Sequence, residues 1–284
     1  QLWWRLDRSL TEEDIYWSSM ICSIDALRCG TTSVIDHHAS PSVITGSLDQ
    51  IRKGFEHTGL RGMTCYEVTD RNRGVQEAKE GIDENIRFAK TIDREKRDGT
   101  WSGLCEAAVG AHAPFTVSEQ SLAGLAEAVE TTGRGIHIHA AEDRYDASHS
   151  RHHYNRDLIF RLDDAGVLND RSLVVHGVYL HDEEIALLNE RDAFLIHNAR
   201  SNMNNGVGYN TGLPKVTNSA VGTDGIGANM FEEFKMAYFK HKDASGPFFP
   251  DAFLRMLHRG NMILSRYYQR SFGMIAQGHA ADLV

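Results

Sequence analysis

The 284-residue sequence has the length of one α/β barrel domain or of two smaller domains. Its 39 acidic residues outnumber the 30 basic ones and give a formal charge of −9. This balance excludes nucleic acid and anionic membranes as main partners, because neither attracts an acidic surface. No apolar run approaches the roughly 18 residues that a bilayer crossing requires, so the sequence predicts no transmembrane helix.

Short β-branched or apolar runs alternate along the chain with longer amphipathic stretches. The first helix is predicted over 11–29, because Thr11 and Asp14 have the spacing of a capping box and Gly30 can end the helix. Strands are then predicted at 31–36, 60–68, 104–111, 135–139, 172–176, 193–197 and 218–224. Further helices are predicted at 46–58, 75–97, 118–132, 154–165, 181–190, 231–240 and 250–267.

This alternation predicts right-handed crossovers and a parallel sheet. A doubly wound open sheet is the alternative, but no glycine-rich phosphate loop follows any of the strands. A closed barrel of the (β/α)8 type needs eight strands, whereas seven are predicted here and a helix precedes the first. We therefore predict an α/β fold, a (β/α)8 TIM-like barrel whose first strand lies upstream of Gln1.

Histidines and one aspartate lie where the predicted strands end. These residues are His37, His38, His112, His139, His176, His197 and Asp224. In a parallel barrel the carboxyl ends of the strands meet at one rim, where catalytic groups gather. Imidazole and carboxylate groups bind zinc or ferrous iron. The sequence therefore predicts a metal site at this rim.

Four polar residues at or just after these predicted strand ends have the chemistry of a hydrolase. His139 and Glu142 form a His-x-x-Glu sequence, in which the histidine can bind a metal and the carboxylate can shuttle protons. Asp224 can bind the metal and take the proton of its water. His176 can hydrogen-bond the attacking oxygen or the substrate. A metal lowers the pKa of water from about 16 to near 7, which makes such hydrolysis feasible at neutral pH.

The order of the motifs resembles the cytosine-deaminase-like branch of the amidohydrolase superfamily, and most of all its SsnA-type aminohydrolases. The motifs are LWWRLDRSLT, GTTSVIDHHASP, GAHAPFTVS, IHIHAAED, LVVHG, HNARSNMNNGVG and VGTDG. The resemblance implies a metal-dependent hydrolase that acts on a C–N bond of a small ring, with deamination of an amino-heterocycle as the preferred reaction. It also implies one divalent metal ion, zinc in preference to iron.

The resemblance implies a role for each residue of the site. His139 and Asp224 would bind the metal, and Glu142 would protonate the substrate ring nitrogen. His176 would orient the activated water and polarise the substrate, and Asp224 would pass the water proton to the leaving group. The residues expected to line the substrate pocket are His37, His112, His197, Asn198 and Asn202.

Two departures from the family pattern matter. The family takes two metal ligands from a His-x-His after the first strand, which we expect upstream of Gln1; the same spacing at 136–139 belongs to the fifth barrel strand. Ala199 also stands where the family has proline. We expect 1–274 to be an incomplete barrel and 275–284 to begin the return to a missing β-sandwich. This chain alone should then bind metal loosely and be inactive.

Several other residues have simpler interpretations. Cys22, Cys29, Cys65 and Cys105 form no CxxC pair and are predicted to be buried, reduced thiols of a cytoplasmic protein. Three tryptophans are expected to pack helices against the barrel: Trp3, Trp4 and Trp17. Three histidines after the fifth barrel strand are expected in a solvated loop, with a second metal site as the alternative: His149, His152 and His153.

Two rival functions remain open at this point. The first keeps the metal site but opens a cyclic amide, a reaction that needs carbonyl polarisation more than ring protonation. The second is an inactive barrel that serves as an assembly subunit, and the upstream sequence would discriminate it. The expected partner is a small heterocyclic substrate, and a homo-oligomer is compatible with the sequence.

Overall fold

The computed structural model describes residues 2–284, which form two compact units that meet in sequence between His137 and Ile138. The helices of the first unit are α1 (Leu2–Asp7), α2 (Glu12–Arg28), α3 (Ser47–Thr58), α4 (Val75–Asp98) and α5 (Glu119–Thr132). Its strands are β1 (Ser33–Ile35), β2 (Arg61–Thr64), β3 (Cys105–Ala107) and β4 (Val109–Ala111). A short 3-10 helix, Pro114–Thr116, follows β4.

The first unit is built on a parallel three-stranded sheet of order β1-β2-β3. Helix α3 packs on β2 so closely that a Cβ on Gly62 would lie 2.3 Å from the ring of Phe55. The predicted start of α2 is confirmed, because Asp14 N donates to Thr11 Oγ1 at 3.3 Å and Thr11 N donates to Asp14 Oδ2 at 2.8 Å.

The prediction of one strand over 104–111 was wrong. The segment forms β3 and β4, with Ala108 between them. Ala108 N still donates to Thr64 O of β2 at 3.0 Å, but the next amide, Val109 N, donates to Gly135 O at 3.1 Å. The hydrogen-bonding partner of the strand therefore changes between two consecutive amides. The apolar sequence of the segment could not predict this change.

In the second unit the strands are the end of β5 (Ile136–Ala140), which crosses the unit boundary, then β6 (Leu173–His176), β7 (Phe194–His197) and β8 (Ser219–Val221). They pair in sequence order, and the β6–β7 and β7–β8 pairs are parallel. The helices are α6 (Arg144–Tyr154), α7 (Leu158–Asp164), α8 (Asp182–Glu190), α9 (Ala199–Asn204), α10 (Met230–Asp243) and α11 (Pro250–Tyr268). Two 3-10 turns complete the unit, Leu213–Lys215 and Asp224–Ile226.

The segment after β5 also differs from its prediction. Helix 154–165 was expected, but the chain forms α6 and α7, separated at Asn155, whose φ of 50° is left-handed. Asp143 caps α6, since its side chain accepts a hydrogen bond from Tyr145 N at 2.8 Å. The three clustered histidines therefore lie on a helix and not in a loop.

Two expectations about burial were also wrong. Cys22 is exposed and Cys29 is only partly buried, although all four cysteines are free thiols and Cys65 and Cys105 are buried as expected. Trp3, Trp4 and Trp17 are 66%, 41% and 50% exposed, so they do not form a buried packing layer. None of the helices within residues 2–284 has the length and apolarity needed to cross a membrane.

Each sheet ends in a strand with one unpaired edge. Among the described residues, β1 pairs only with β2, and β8 pairs only with β7. A closed barrel has no such edges, because every strand then has two neighbours. The hydrogen-bond ladders therefore do not close a barrel within this chain, as predicted from the strand count.

Candidate active site

The polar residues predicted at strand ends do lie there. His176 and His197 are the last residues of β6 and β7, and His139 is the last but one of β5. In the first unit, His112 directly follows β4, and His37 lies two residues after β1. The parallel strands thus place polar side chains at their carboxyl ends, where parallel α/β barrels carry their catalytic groups.

In the second unit, Glu142, His176 and Asp224 form a group that we call the acid–base cluster. His176 Nε2 lies 3.7 Å from Glu142 Oε2 and 3.8 Å from Asp224 Oδ2. The imidazole side chain is 1% exposed, whereas the two carboxylates are 33% and 31% exposed. A buried imidazole therefore faces two carboxylates that remain accessible to solvent or to a small molecule.

His176 is oriented by Asn202 of α9, whose amide oxygen Oδ1 lies 2.9 Å from His176 Nδ1. Because an amide oxygen only accepts, Nδ1 carries the proton and donates it. In the neutral ring, Nε2 then presents a lone pair toward the two carboxylates. Asn202, which was predicted to line the substrate pocket, lies beside His176.

The two carboxylates are held by neighbouring polar groups. Ser201 Oγ donates to Asp224 Oδ2 at 2.5 Å, and Gly225 N donates to Asp224 Oδ1 at 2.7 Å. Asn205 Nδ2 donates to Glu142 Oε1 at 3.4 Å. Sequence reasoning missed Ser201 and Asn205; the one signal for them was the polar run that follows β7.

The backbone around the cluster has unusual dihedral angles. His176, Asp224 and Ala141 have φ values of 72°, 51° and 52°. This left-handed region is uncommon for residues other than glycine and costs on the order of 1–3 kcal/mol each. Three such residues beside one group of titratable side chains are typical of a functional site.

His139 lies next to the acid–base cluster, with its ring centroid 5.5 Å from that of His176. The groups around this point are two imidazoles and two carboxylates. In the tautomer that Asn202 favours, the Nε2 lone pair of His176 and the carboxylate oxygens are all electron-rich. Such a set suits a divalent cation, because imidazole and carboxylate are its usual protein ligands and the charges would otherwise repel.

His197 and Asn198 at the end of β7 are buried, and several of their polar atoms have no partner. In the described part of the chain, neither ring nitrogen of His197 nor Oδ1 of Asn198 has a hydrogen bond. Burial lowers the pKa of His197 to about 4, helped by His176 and His241, so this ring is neutral. The ring of Tyr209 stands perpendicular to it at 5.6 Å.

The first unit has a group of its own, His37, Glu67 and Arg71, which we call the paired cluster. His37 Nδ1 lies 3.3 Å from Glu67 Oε2, and the Arg71 guanidinium pairs with the other carboxylate oxygen. His37 Nε2 donates to the carbonyl oxygens of Ala111 and His137 at 3.1 and 3.2 Å. Both ring nitrogens of His37 thus face acceptors, which favours the doubly protonated ring.

The charges of the paired cluster shift pKa values in opposite directions. Burial alone would lower the pKa of His37, but the hydrogen bond and charge of Glu67 raise it. Burial alone would raise the pKa of Glu67, but the hydrogen bond from His37 and the charges of His112, His37 and Arg71 lower it well below its usual range. Sequence reasoning missed Glu67, which follows β2 in an apolar run.

His112 lies beside this cluster. Burial lowers its pKa to about 4, and its Nδ1 lies 2.8 Å from Thr116 Oγ1. The ring of Trp4 stands at right angles to it with centroids 6.1 Å apart, and the Arg71 guanidinium lies 4.6 Å from the Trp4 centroid. His37 and His112, both predicted to bind substrate, are therefore held by protein groups of the first unit.

Comparison with known proteins gives a consistent result. The model of the amidohydrolase family matches residues 1–284. The 5′-deoxyadenosine deaminase of Methanosarcina barkeri is 31% identical over 99% of this chain and 64% of that protein. The 5-methylthioadenosine/S-adenosylhomocysteine deaminase of Thermococcus sibiricus is 30% identical over 99% of this chain and 65% of that protein. The chain thus spans less than two thirds of these relatives.

Solved structures give the same fold. An adenosine deaminase from Xanthomonas campestris with bound zinc superposes with a TM-score of 0.79 at 23% identity, over 98% of this chain and 63% of that one. A guanine deaminase from C. acetobutylicum gives 0.78 at 14% identity, over 90% and 64%. These matches confirm the predicted parallel α/β fold, and the family match confirms the resemblance seen in the sequence.

Proposed function

We propose that this chain, which belongs to the amidohydrolase family, carries the catalytic groups for hydrolytic deamination of an amino-heterocycle. The observation that carries the proposal is the acid–base cluster, in which a buried His176 faces the partly exposed carboxylates of Glu142 and Asp224. The named relatives act on adenosine derivatives, which supports an amino-heterocycle as the substrate class.

The roles follow from the proton donors and acceptors in the cluster. Glu142 protonates the ring nitrogen, and His176 Nε2 accepts a hydrogen bond from the attacking water, since Asn202 holds the proton on Nδ1. Asp224 takes one water proton as the new C–O bond forms. It then gives this proton to the amino group, the C–N bond breaks and ammonia leaves. The remaining hydroxyl proton returns to Glu142, which restores the carboxylic acid and leaves a ring carbonyl.

A divalent metal ion, zinc in preference to iron, is part of the proposal. Within this chain His139 and Asp224 would hold it, because an imidazole and a carboxylate converge beside His176. When bound, such an ion supplies a Lewis acid that lowers the pKa of water to near 7. The zinc bound by the solved adenosine deaminase supports this choice.

Cyclic amide hydrolysis is the second candidate, since it could use the same groups. The partly exposed Glu142 favours deamination, because that reaction needs a proton on the ring nitrogen as water attacks, whereas cyclic amide opening depends mainly on polarisation of the carbonyl. Ammonia release from purines and pyrimidines, compared with ring opening of hydantoin-like rings, separates the two. Ring opening without ammonia release would reject deamination.

A variant tests the role of His176 directly. His176→Asn in the full-length protein should keep the metal content and lower kcat, because Asn cannot accept and orient the water in the same way. Metal content is measured by elemental analysis and kcat by ammonia release. Loss of the metal in this variant would make His176 a ligand and contradict the assignment.

A further inference from the structure

A surface depression in the second unit is lined mainly by side chains that donate hydrogen bonds. The lining residues are Arg144, Ala147, Ser148, Arg151, His152 and Tyr179. None of these is acidic, although acidic residues outnumber basic ones 39 to 30 in the chain. A lining with two guanidinium groups and no carboxylate favours an anion, because charge-assisted hydrogen bonds to phosphate or carboxylate are the strong ones.

Arg144 is the cation available to such a ligand. Arg144, Ser148, Arg151 and His152 have the spacing that places them along one face of α6. Within residues 2–284, Arg144 forms no ion pair, and its guanidinium lies 5.3 Å from the ring centroid of Tyr179. Arg151, by contrast, already pairs with Asp157.

The opposite wall of the depression is held in place. Tyr179 OH donates to Val207 O at 2.6 Å, and Tyr179 N donates to Ala141 O at 3.0 Å. A Cβ on Gly208 would lie 3.0 Å from the Tyr179 hydroxyl oxygen, and this residue has a φ of +110°, so the close approach requires glycine. The depression therefore has a preformed aromatic wall beside a free guanidinium.

The same two loops build the depression and the acid–base cluster. The segment after β5 carries Glu142 and Arg144, and the segment after β6 carries Tyr179 three residues beyond His176. An extended chain spans at most about 3.6 Å per residue. The Cα atoms of Glu142 and Arg144 therefore lie within about 7 Å of each other, and those of His176 and Tyr179 within about 11 Å. The depression and the acid–base cluster are therefore neighbours along these two segments.

We propose that the depression binds an anionic substituent of the substrate, a phosphate or a carboxylate, and that Arg144 is its main recognition residue. The substrate class is then an amino-heterocycle with an anionic tail. This inference rests on the proposed function for the position of the ring, whereas binding of the anion is measurable without turnover.

The first experiment measures binding of inorganic phosphate to the full-length protein by titration calorimetry. Arg144→Gln should weaken binding about ten-fold or more, because it removes the unpaired cation. Arg156→Gln is the matched control: it removes the same charge from a guanidinium that Asp164 already binds at 2.7 and 2.9 Å, and it should leave the Kd unchanged. No binding by the wild type, or equal losses in both variants, would overturn the proposal.

The second experiment compares adenosine, adenosine 5′-monophosphate and adenosine 5′-carboxylate as substrates. Arg144→Gln should lower kcat/KM about ten-fold for an anionic member and less than two-fold for adenosine, and the larger of the two anionic losses identifies phosphate or carboxylate. Equal losses for neutral and anionic members would overturn the proposal. If none of the three releases ammonia while phosphate binding still depends on Arg144, the proposed deamination fails and the anion site stands.

Discussion

The paired cluster and the acid–base cluster use the same residue types at strand ends but differ in how completely their charges are paired. In the paired cluster, His37 and Glu67 are 9% and 10% exposed, and both carboxylate oxygens of Glu67 have a cationic partner. In the acid–base cluster, the carboxylates of Glu142 and Asp224 remain 33% and 31% exposed, and no cationic Lys or Arg pairs with them among the described residues.

This difference in charge pairing suits the paired cluster to stabilising the fold and the acid–base cluster to transferring protons. A buried carboxylate that pairs with two cations cannot readily take up a proton, because protonation would leave those buried cations without their counter-charge. Accessible carboxylates beside a buried imidazole can exchange protons with a substrate at little cost. We therefore expect substitutions in the paired cluster to affect mainly folding, and substitutions in the acid–base cluster to affect mainly turnover.

The largest expected effect is on stability. Glu67→Gln should lower the free energy of unfolding by about 3–5 kcal/mol, because it leaves His37 and Arg71 buried without their carboxylate. Glu80→Gln is the control: Glu80 pairs with Arg73 at the surface, and its loss should cost about 1 kcal/mol or less. Urea denaturation measures the free energy of unfolding of both variants, and equal losses would contradict a stabilising role of the paired cluster.

The dependence of stability on pH comes next. The pKa values of His112 and His197 are lowered from 6.5 to about 4, chiefly by burial. Between pH 6.5 and 4 the unfolded chain therefore binds protons that the folded protein does not, and stability falls as pH falls, by about 3 kcal/mol per histidine. Urea denaturation at pH 6.5, 5 and 4 should show this fall, and His197→Leu should reduce it by about 3 kcal/mol.

His37 has the opposite linkage. Its pKa is raised, since the hydrogen bond and charge of Glu67 outweigh burial, so its contribution to stability is present below pH 6.5 and is lost as pH rises through the folded value.

A stability profile of His197→Leu that still falls as steeply as that of the wild type toward pH 4 would contradict the assignment of a neutral His197.

The expected effect on turnover is about 10²-fold. Glu142→Gln should keep the metal and the fold but lower kcat by at least about 10², the usual contribution of a general acid or base. Glu183→Gln is the control, because Glu183 is 75% exposed and contacts only His181 in the described structure. Ammonia release measures kcat, and near wild-type turnover in Glu142→Gln would remove that residue from the mechanism.

The smallest expected effect concerns Trp4, whose ring contacts Arg71 of the paired cluster. Trp4→Ala should cost about 0.5–1 kcal/mol, because the Arg71 guanidinium loses the aromatic face 4.6 Å away. Trp3→Ala, at a side chain that is 66% exposed, should change the free energy of unfolding less. Thermal denaturation of the two variants would show whether Trp4 belongs to the cluster or only lies near it.

Local sequence signals were sufficient for much of the fold and for the positions of the reactive groups. The capping box at Thr11 and Asp14 and the short β-branched runs are short-range signals, and the structure confirms the elements they predicted. His139, His176 and His197 could be placed at strand ends because a strand end is itself a local feature. The roles proposed for them stay predictions.

Only the tertiary structure decided how these residues are paired. Glu67 and Glu142 both follow an apolar strand. The local sequence around them does not distinguish a buried carboxylate with two cationic partners from an accessible one. The partners of Glu67 come from 30 residues upstream and 4 downstream, His37 and Arg71. The break at Ala108 and the hydrogen bond from His176 to Asn202, 26 residues apart, also depend on contacts between distant segments. Charge pairing depends on distance and burial, and these quantities exist only once the chain has folded.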